Sequence, residues 1–114
     1  MIYLDNAATS PLLPEVKKQM VEAISGDFGN PSSIHTFGRK ANEHLRNYRQ
    51  IIANALSTQP RNIIFTSGGT ESNNTAIKGY ALANQHKGKH LITTAIEHHS
   101  VLTTMKYLED RFHF

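Results

Sequence analysis

Ile63-Ile64-Phe65-Thr66-Ser67-Gly68-Gly69-Thr70-Glu71-Ser72-Asn73-Asn74 reads as a short buried strand, a glycine turn and the start of a helix. The β-branched and aromatic run at 63–65 suits a strand covered on both faces, and two glycines let the backbone turn sharply behind it. Thr70 is then a candidate helix N-cap. The first N–H groups of such a helix have no intrahelical acceptor, so strand end, Gly69-Thr70 and helix terminus together make an anion site suited to a phosphate. The plain alternative is an ordinary strand-to-helix turn with a threonine cap.

Downstream, Ile77, Tyr80, Ala81 and Asn84 share one side of the helix that starts at Thr70, which stops near Lys87-Gly88. His90-Leu91-Ile92-Thr93-Thr94-Ala95 is expected to form a second strand. Strand, helix and strand in that order predict a parallel pair with a right-handed crossover, and the class α/β. The loop Ile96-Glu97-His98-His99-Ser100 then opens at a strand's carboxyl end, on the side where parallel sheets bind ligands. Val101, Leu102, Met105 and Leu108 mark a last helix, and Arg111-Phe112-His113-Phe114 looks like the approach to a third strand.

Upstream, Tyr3 to Pro11 is an extended entry and turn. Pro14-Glu15 opens a helix with Val16, Met20 and Ile24 as its buried stripe, closed by Ser25-Gly26. Asp27-Phe28-Gly29-Asn30-Pro31-Ser32-Ser33 is a turn-rich loop whose Ser32 or Ser33 is expected to cap a long helix. In that helix Ile34, Phe37, Ala41, Leu45, Tyr48, Ile52 and Ala55 recur at spacings of three or four. Leu56 to Pro60 ends it.

With 114 residues there is one small domain at most, and a charge of +3 spread over scattered lysines and arginines predicts no nucleic-acid partner. No apolar run matches a membrane span, and Met-Ile-Tyr-Leu-Asp carries no export signal, so a cytoplasmic location without membrane contact is expected. The chain has no cysteine, which removes disulfides, thiolate metal sites and thiol nucleophiles from these residues. Histidine patterns fit no zinc site: there is no H-E-x-x-H, and Thr94 stands where the pattern ending at Glu97-His98 needs its first histidine, so no metal is expected. The glycine turn also lacks the lysine of a nucleotide P-loop. Ser100 beside His99 is not a triad, and His98 and His99 read in isolation as two polar loop residues.

Four segments together, residues 3–11 (Tyr-Leu-Asp-Asn-Ala-Ala-Thr-Ser-Pro), 29–41 (Gly-Asn-Pro-Ser-Ser-Ile-His-Thr-Phe-Gly-Arg-Lys-Ala), 66–74 (Thr-Ser-Gly-Gly-Thr-Glu-Ser-Asn-Asn) and 97–101 (Glu-His-His-Ser-Val), resemble the start of a cysteine desulfurase. The branch is the one serving nitrogenase and iron–sulfur cluster assembly, among the class V, fold-type I pyridoxal-phosphate enzymes. The resemblance implies pyridoxal 5'-phosphate as cofactor, held at its phosphate by Gly69 and Thr70, with His98 against the ring face and available for proton transfer. Asn6 and Ala7 match a segment folding towards the substrate. The implied layout is an N-terminal arm at 1–13, then 14–114 as the incomplete large domain, with two helices before strand–helix–strand. Its two strands would not be neighbours in the family's sheet.

The same resemblance implies L-cysteine as substrate, alanine and an enzyme persulfide as products, an iron–sulfur scaffold protein as sulfur recipient, and a homodimer. The family's cofactor-bearing lysine, ring-nitrogen aspartate, carboxylate arginine and sulfur-accepting cysteine have no match in these residues, and the family's chain is much longer. This chain is therefore expected to be a fragment of a larger product, inactive by itself. The competing expectations are a non-enzymatic remnant serving interaction or dimerisation, and another class V enzyme such as a selenocysteine lyase.

Overall fold

Every regular element among the residues described by the computed structural model, 2–26 and 28–114, is helical. Met1, in the N-terminal arm, and Asp27, in the turn-rich loop, lie outside the described residues. The chain divides into two compact units, Met1–Ile63 and Ile64–Phe114.

In the first unit, α1 (Pro14–Gly26) starts where proline has no N–H to lose and Glu15 meets the positive end of the helix. Its stripe is not buried: Val16 is 43% exposed, Met20 47% and Ile24 82%. No helix packs closely on α1 among the described residues, so periodicity gave the face without a cover for it. Val16, Met20 and Ala23 line an open groove with Tyr48. The second helix, α2 (Thr36–Ala55), begins later than the sequence pattern suggests. Its cap is His35, whose Nδ1 accepts the Gly38 N–H at 3.4 Å, and not Ser32 or Ser33. Those serines are spent in a turn on Asn30, where the Ser32 N–H reaches Asn30 Oδ1 (2.9 Å) and the Ser33 N–H reaches the Asn30 carbonyl (2.9 Å).

That loop is held against α2. Phe28 stacks on Phe37 with centroids 4.8 Å apart, Asn42 Nδ2 donates to the Pro31 carbonyl (3.0 Å), and Gly38 is buried beneath Ser33. A Cβ on Gly38 would stand 2.3 Å from the Ser33 carbonyl oxygen, so only glycine fits there. After α2, Ser57 turns through the left-handed region (φ 51°) and Pro60–Asn62 forms a 3-10 turn. Arg49 Nε anchors the end of this turn by donating to the Ile63 carbonyl (3.1 Å).

The second unit is a helix pair, α3 (Gly69–Asn84) and α4 (His99–Phe112). Asn73 bonds Ser100, Asn74 bonds Thr104, and Lys78 lies over Tyr107, so contacts advance together and the helices run parallel. Their seam buries Ala81, Leu108, Thr104 and Ser100. Sequence expectations are corrected at both ends of each helix. The N-cap of α3 is Gly68, not Thr70, which lies one residue inside the helix. Its C-terminus is Asn84, a turn earlier than expected. The predicted loop at 96–100 already contains the start of α4, and Arg111-Phe112 is its last turn rather than an approach to a strand. His113 closes it in the left-handed conformation (φ 57°), with its N–H on the Glu109 carbonyl (3.1 Å).

The expected strands at 63–65 and 90–95 are absent, and with them the parallel pair and the α/β label as a description of these residues. The reason is pairing. Apolar, β-branched residues favour an extended backbone, but a strand exists only when a neighbour completes its ladder, and the described residues supply none. Ile92 consequently stands 84% exposed. No helix among the described residues is long and apolar enough to cross a membrane.

Candidate functional site

Because α3 and α4 run parallel, their N-termini lie at the same end of the second unit. Each terminus carries about half a positive charge on unsatisfied N–H groups, so two weak positive poles face one opening. There an open cleft of about 380 Å³ is lined by Thr70, Asn74 and Lys78 from α3, and by His98, His99, Ser100, Thr103, Thr104 and Tyr107 from the α4 side.

The α3 edge is built from the stretch around Gly68. The first intrahelical bond is Ser72 N–H to the Gly68 carbonyl (3.1 Å), which leaves the N–H groups of Gly69, Thr70 and Glu71 ahead of the helical ladder. Thr70 uses its carbonyl to accept Asn74 Nδ2 (2.9 Å), and its hydroxyl has no partner among the described residues. Glu71 does the bracing: one carboxylate oxygen accepts both the Ser67 N–H (2.7 Å) and the Ser67 hydroxyl (2.6 Å). The Ser67 hydroxyl, with the Ser67 N–H second, holds the Glu71 carboxyl below its ordinary value. Gly68 itself is extended (φ 164°), a backbone open to any residue, so the bend that the chain makes at Ser67 and Gly68 before α3 does not need a left-handed glycine. What the glycines leave is space: a Cβ on Gly68 or on Gly69 would meet nothing within 4 Å.

The α4 edge begins at His98, in extended backbone (φ −60°, ψ 147°). Its Nδ1 accepts the Ser100 N–H (3.1 Å) and lies 2.9 Å from Ser100 Oγ, while Asn73 Nδ2 donates to that oxygen from α3 (2.8 Å). Next along the seam Thr104 Oγ1 donates to Asn74 Oδ1 (2.9 Å), and Lys78 Nζ sits 4.4 Å from the Tyr107 ring centroid. The His99 ring stands edge-on to His98, with centroids 6.4 Å apart.

Of the residues singled out from sequence, Thr70 and His98 meet in this cleft, with Gly69 immediately before Thr70. Asn6 and Ala7 belong to the first unit, in an exposed turn where the Ala8 and Thr9 N–H groups share the Asp5 carbonyl and the Tyr3 hydroxyl donates to Asp5 and Thr9 carbonyls. Sequence reasoning missed Asn73, Asn74, Ser100 and Thr104. Their signal was present as polar residues at helical spacing, Ser100 and Thr104 on α4 and adjacent asparagines on α3, but it needed the helix pairing to give it meaning.

A family model described as aminotransferase class-V matches residues 2–113. A protein named cysteine desulfurase IscS from Dictyoglomus turgidum is 53% identical over 108 residues, which cover 95% of this chain and 27% of the relative. Among solved structures, a NifS-like protein superposes with a TM-score of 0.83 at 39% identity, covering 93% of this chain and 29% of the other. SspA in complex with cysteine superposes with a TM-score of 0.79 at 42% identity over 91% of this chain and 30% of the other. The chain thus spans less than a third of the length of the relatives it matches.

Proposed function

The chain belongs to the class V aminotransferase family, and on that premise we propose that its residues form the phosphate-holding and ring-facing part of a pyridoxal-phosphate-dependent cysteine desulfurase. The observation that carries this is the meeting of Thr70, beside three N–H groups outside the helical ladder, with His98 in one cleft. The donor set suits a phosphate monoester: backbone N–H groups, a hydroxyl without a partner among the described residues, and open space over Gly68 and Gly69. About 380 Å³ is in the range of a small-ligand pocket.

In this reading Gly69 and Thr70 bind and orient the phosphate, and His98 lies against the ring with an imidazole able to hold or move a proton. Asn6 and Ala7 are assigned a substrate-side role on the family resemblance alone. Bound pyridoxal phosphate supplies an electron sink for the pair left at the carbon beside the substrate carboxylate. The substrate is L-cysteine, a reading supported by the cysteine held in the SspA complex and the name of the desulfurase relative. The sulfur passes as a persulfide to an iron–sulfur scaffold protein, and the working unit is a homodimer in the cytoplasm. Residues 1–13 act as an arm and 14–114 as part of the cofactor domain, in which 63–65 and 90–95 become strands once neighbours pair with them.

A ring against His98 must feel its imidazole. Proton resonances of pyridoxine phosphate, which carries the phosphate but no aldehyde to react with lysines, should shift on adding the chain. The shift should shrink in His98→Ala and persist in His99→Ala. The opposite ranking would show that the adjacent histidine faces the ring.

A further inference from the structure

We propose that Ser100 and Asn73 are positioning residues that hold the His98 imidazole in its Nε2–H tautomer, so that His98 meets its ligand as a hydrogen-bond donor at Nε2. The starting point is a donor that cannot be reversed. The backbone N–H of Ser100 points at His98 Nδ1 over 3.1 Å, and an N–H demands a lone pair, so the proton of the neutral ring belongs on Nε2. Ser100 Oγ is 2.9 Å from the same nitrogen, and beside a lone pair its hydroxyl must donate as well. A hydroxyl that gives its only hydrogen to Nδ1 turns lone pairs elsewhere, and Asn73 Nδ2 fills one of them at 2.8 Å. The three bonds agree in direction: Asn73 donates to Ser100, and Ser100 donates twice to His98.

Burial makes the arrangement effective. Ser100 is 7% exposed, so water competes poorly for its hydroxyl, and Asn73 is half-buried in the seam between α3 and α4. Asn73 belongs to the helix that also carries Thr70 in its first turn, and so the packing that builds the phosphate edge also sets the proton position on the opposite edge. What the Nε2 donor meets rests on the function proposed above; the tautomer rests only on these distances. A histidine serving solely as a helix cap needs the Ser100 N–H alone, and neither the serine hydroxyl nor Asn73.

The test is long-range proton–nitrogen correlation of the imidazole rings in the ¹⁵N-labelled chain, in a buffer where the rings are neutral, with the His98 signals assigned by their loss in His98→Asn. The expected result is a proton-bearing Nε2 and a lone-pair Nδ1 for His98, against averaged nitrogens for the exposed His86. Ser100→Ala and, separately, Asn73→Ala should each lower the ratio of Nε2–H to Nδ1–H forms by about two- to tenfold, the factor one lost hydrogen bond represents. A dominant Nδ1–H form in the unaltered chain would overturn the proposal, and so would His98 nitrogens that stay put in both variants. No ligand enters this measurement, so its failure is distinct from a failure of the phosphate site.

Discussion

Replacing Thr70 with valine removes one hydroxyl and keeps the β-branched shape. Structurally little else depends on that oxygen: the hydroxyl has no partner among the described residues, and the Thr70 carbonyl that accepts Asn74 Nδ2 at 2.9 Å is unaffected. The helix should stand, and the loss should fall on the ligand. A hydrogen bond to a charged group contributes about 1.5–3 kcal/mol. Thr70 lies at an open edge where water competes, so the lower end applies, near a tenfold weaker Kd. The remaining N–H groups of Gly69, Thr70 and Glu71 still face the anion, which keeps binding from vanishing. Phosphorus NMR of pyridoxine phosphate titrated with the chain reads the affinity directly, and Thr70→Ser should restore most of it. Equal affinities for the unaltered chain and Thr70→Val would refute the placement of phosphate at this helix terminus.

Gly38→Ala drives a methyl to 2.3 Å from the Ser33 carbonyl, and overpacking of this kind costs about 1–3 kcal/mol, visible as a lower urea midpoint; an unchanged midpoint would mean the loop yields freely. The Glu71 carboxyl should titrate below its ordinary range by carbon NMR, and Ser67→Ala should move it back up. A carboxyl depressed in the folded state stabilises above its unfolded value and loses that contribution as pH falls through the depressed one, so the start of α3 should fray in acid; a titration at the ordinary value would show the Ser67 contacts to be absent in solution. With pyridoxal phosphate, L-cysteine and reductant, the chain alone should release sulfide no faster than free cofactor, since no thiol lies among its 114 residues to take up sulfur; faster release would require chemistry outside the cleft described here.

The long helix was legible in the sequence because the period of Phe37, Ala41, Leu45, Tyr48 and Ile52 is local information. Its start was not, since His35 caps through an imidazole nitrogen, and sequence reading gives that place to serine. Thr70 was correctly placed near a helix start but given the wrong role there, because Glu71, reaching back to Ser67, braces the turn and leaves the threonine oxygen available. The strands at 63–65 and 90–95 are unpaired among the described residues for a reason of the same kind, because composition reports a preference for extension while pairing depends on other parts of a sheet. The Asn73–Ser100–His98 chain was invisible beforehand, being made across a gap of 27 residues that only packing closes.

The parallel course of α3 and α4 also dictates how the chain must be routed. Two antiparallel helices are joined by a loop of about two to five residues, but such a hairpin sets the positive pole of one beside the negative pole of the other. Parallel helices leave the chain at the wrong end, and α3, at about 1.5 Å per residue over its 16 residues, must be retraced in full before α4 can begin. An extended backbone makes that return with the fewest residues, about 3.3 Å each. The exposed run through Ile92 is thus the return path, and a cleft with two positive poles exists only as long as that path is long enough to span the helix beside it.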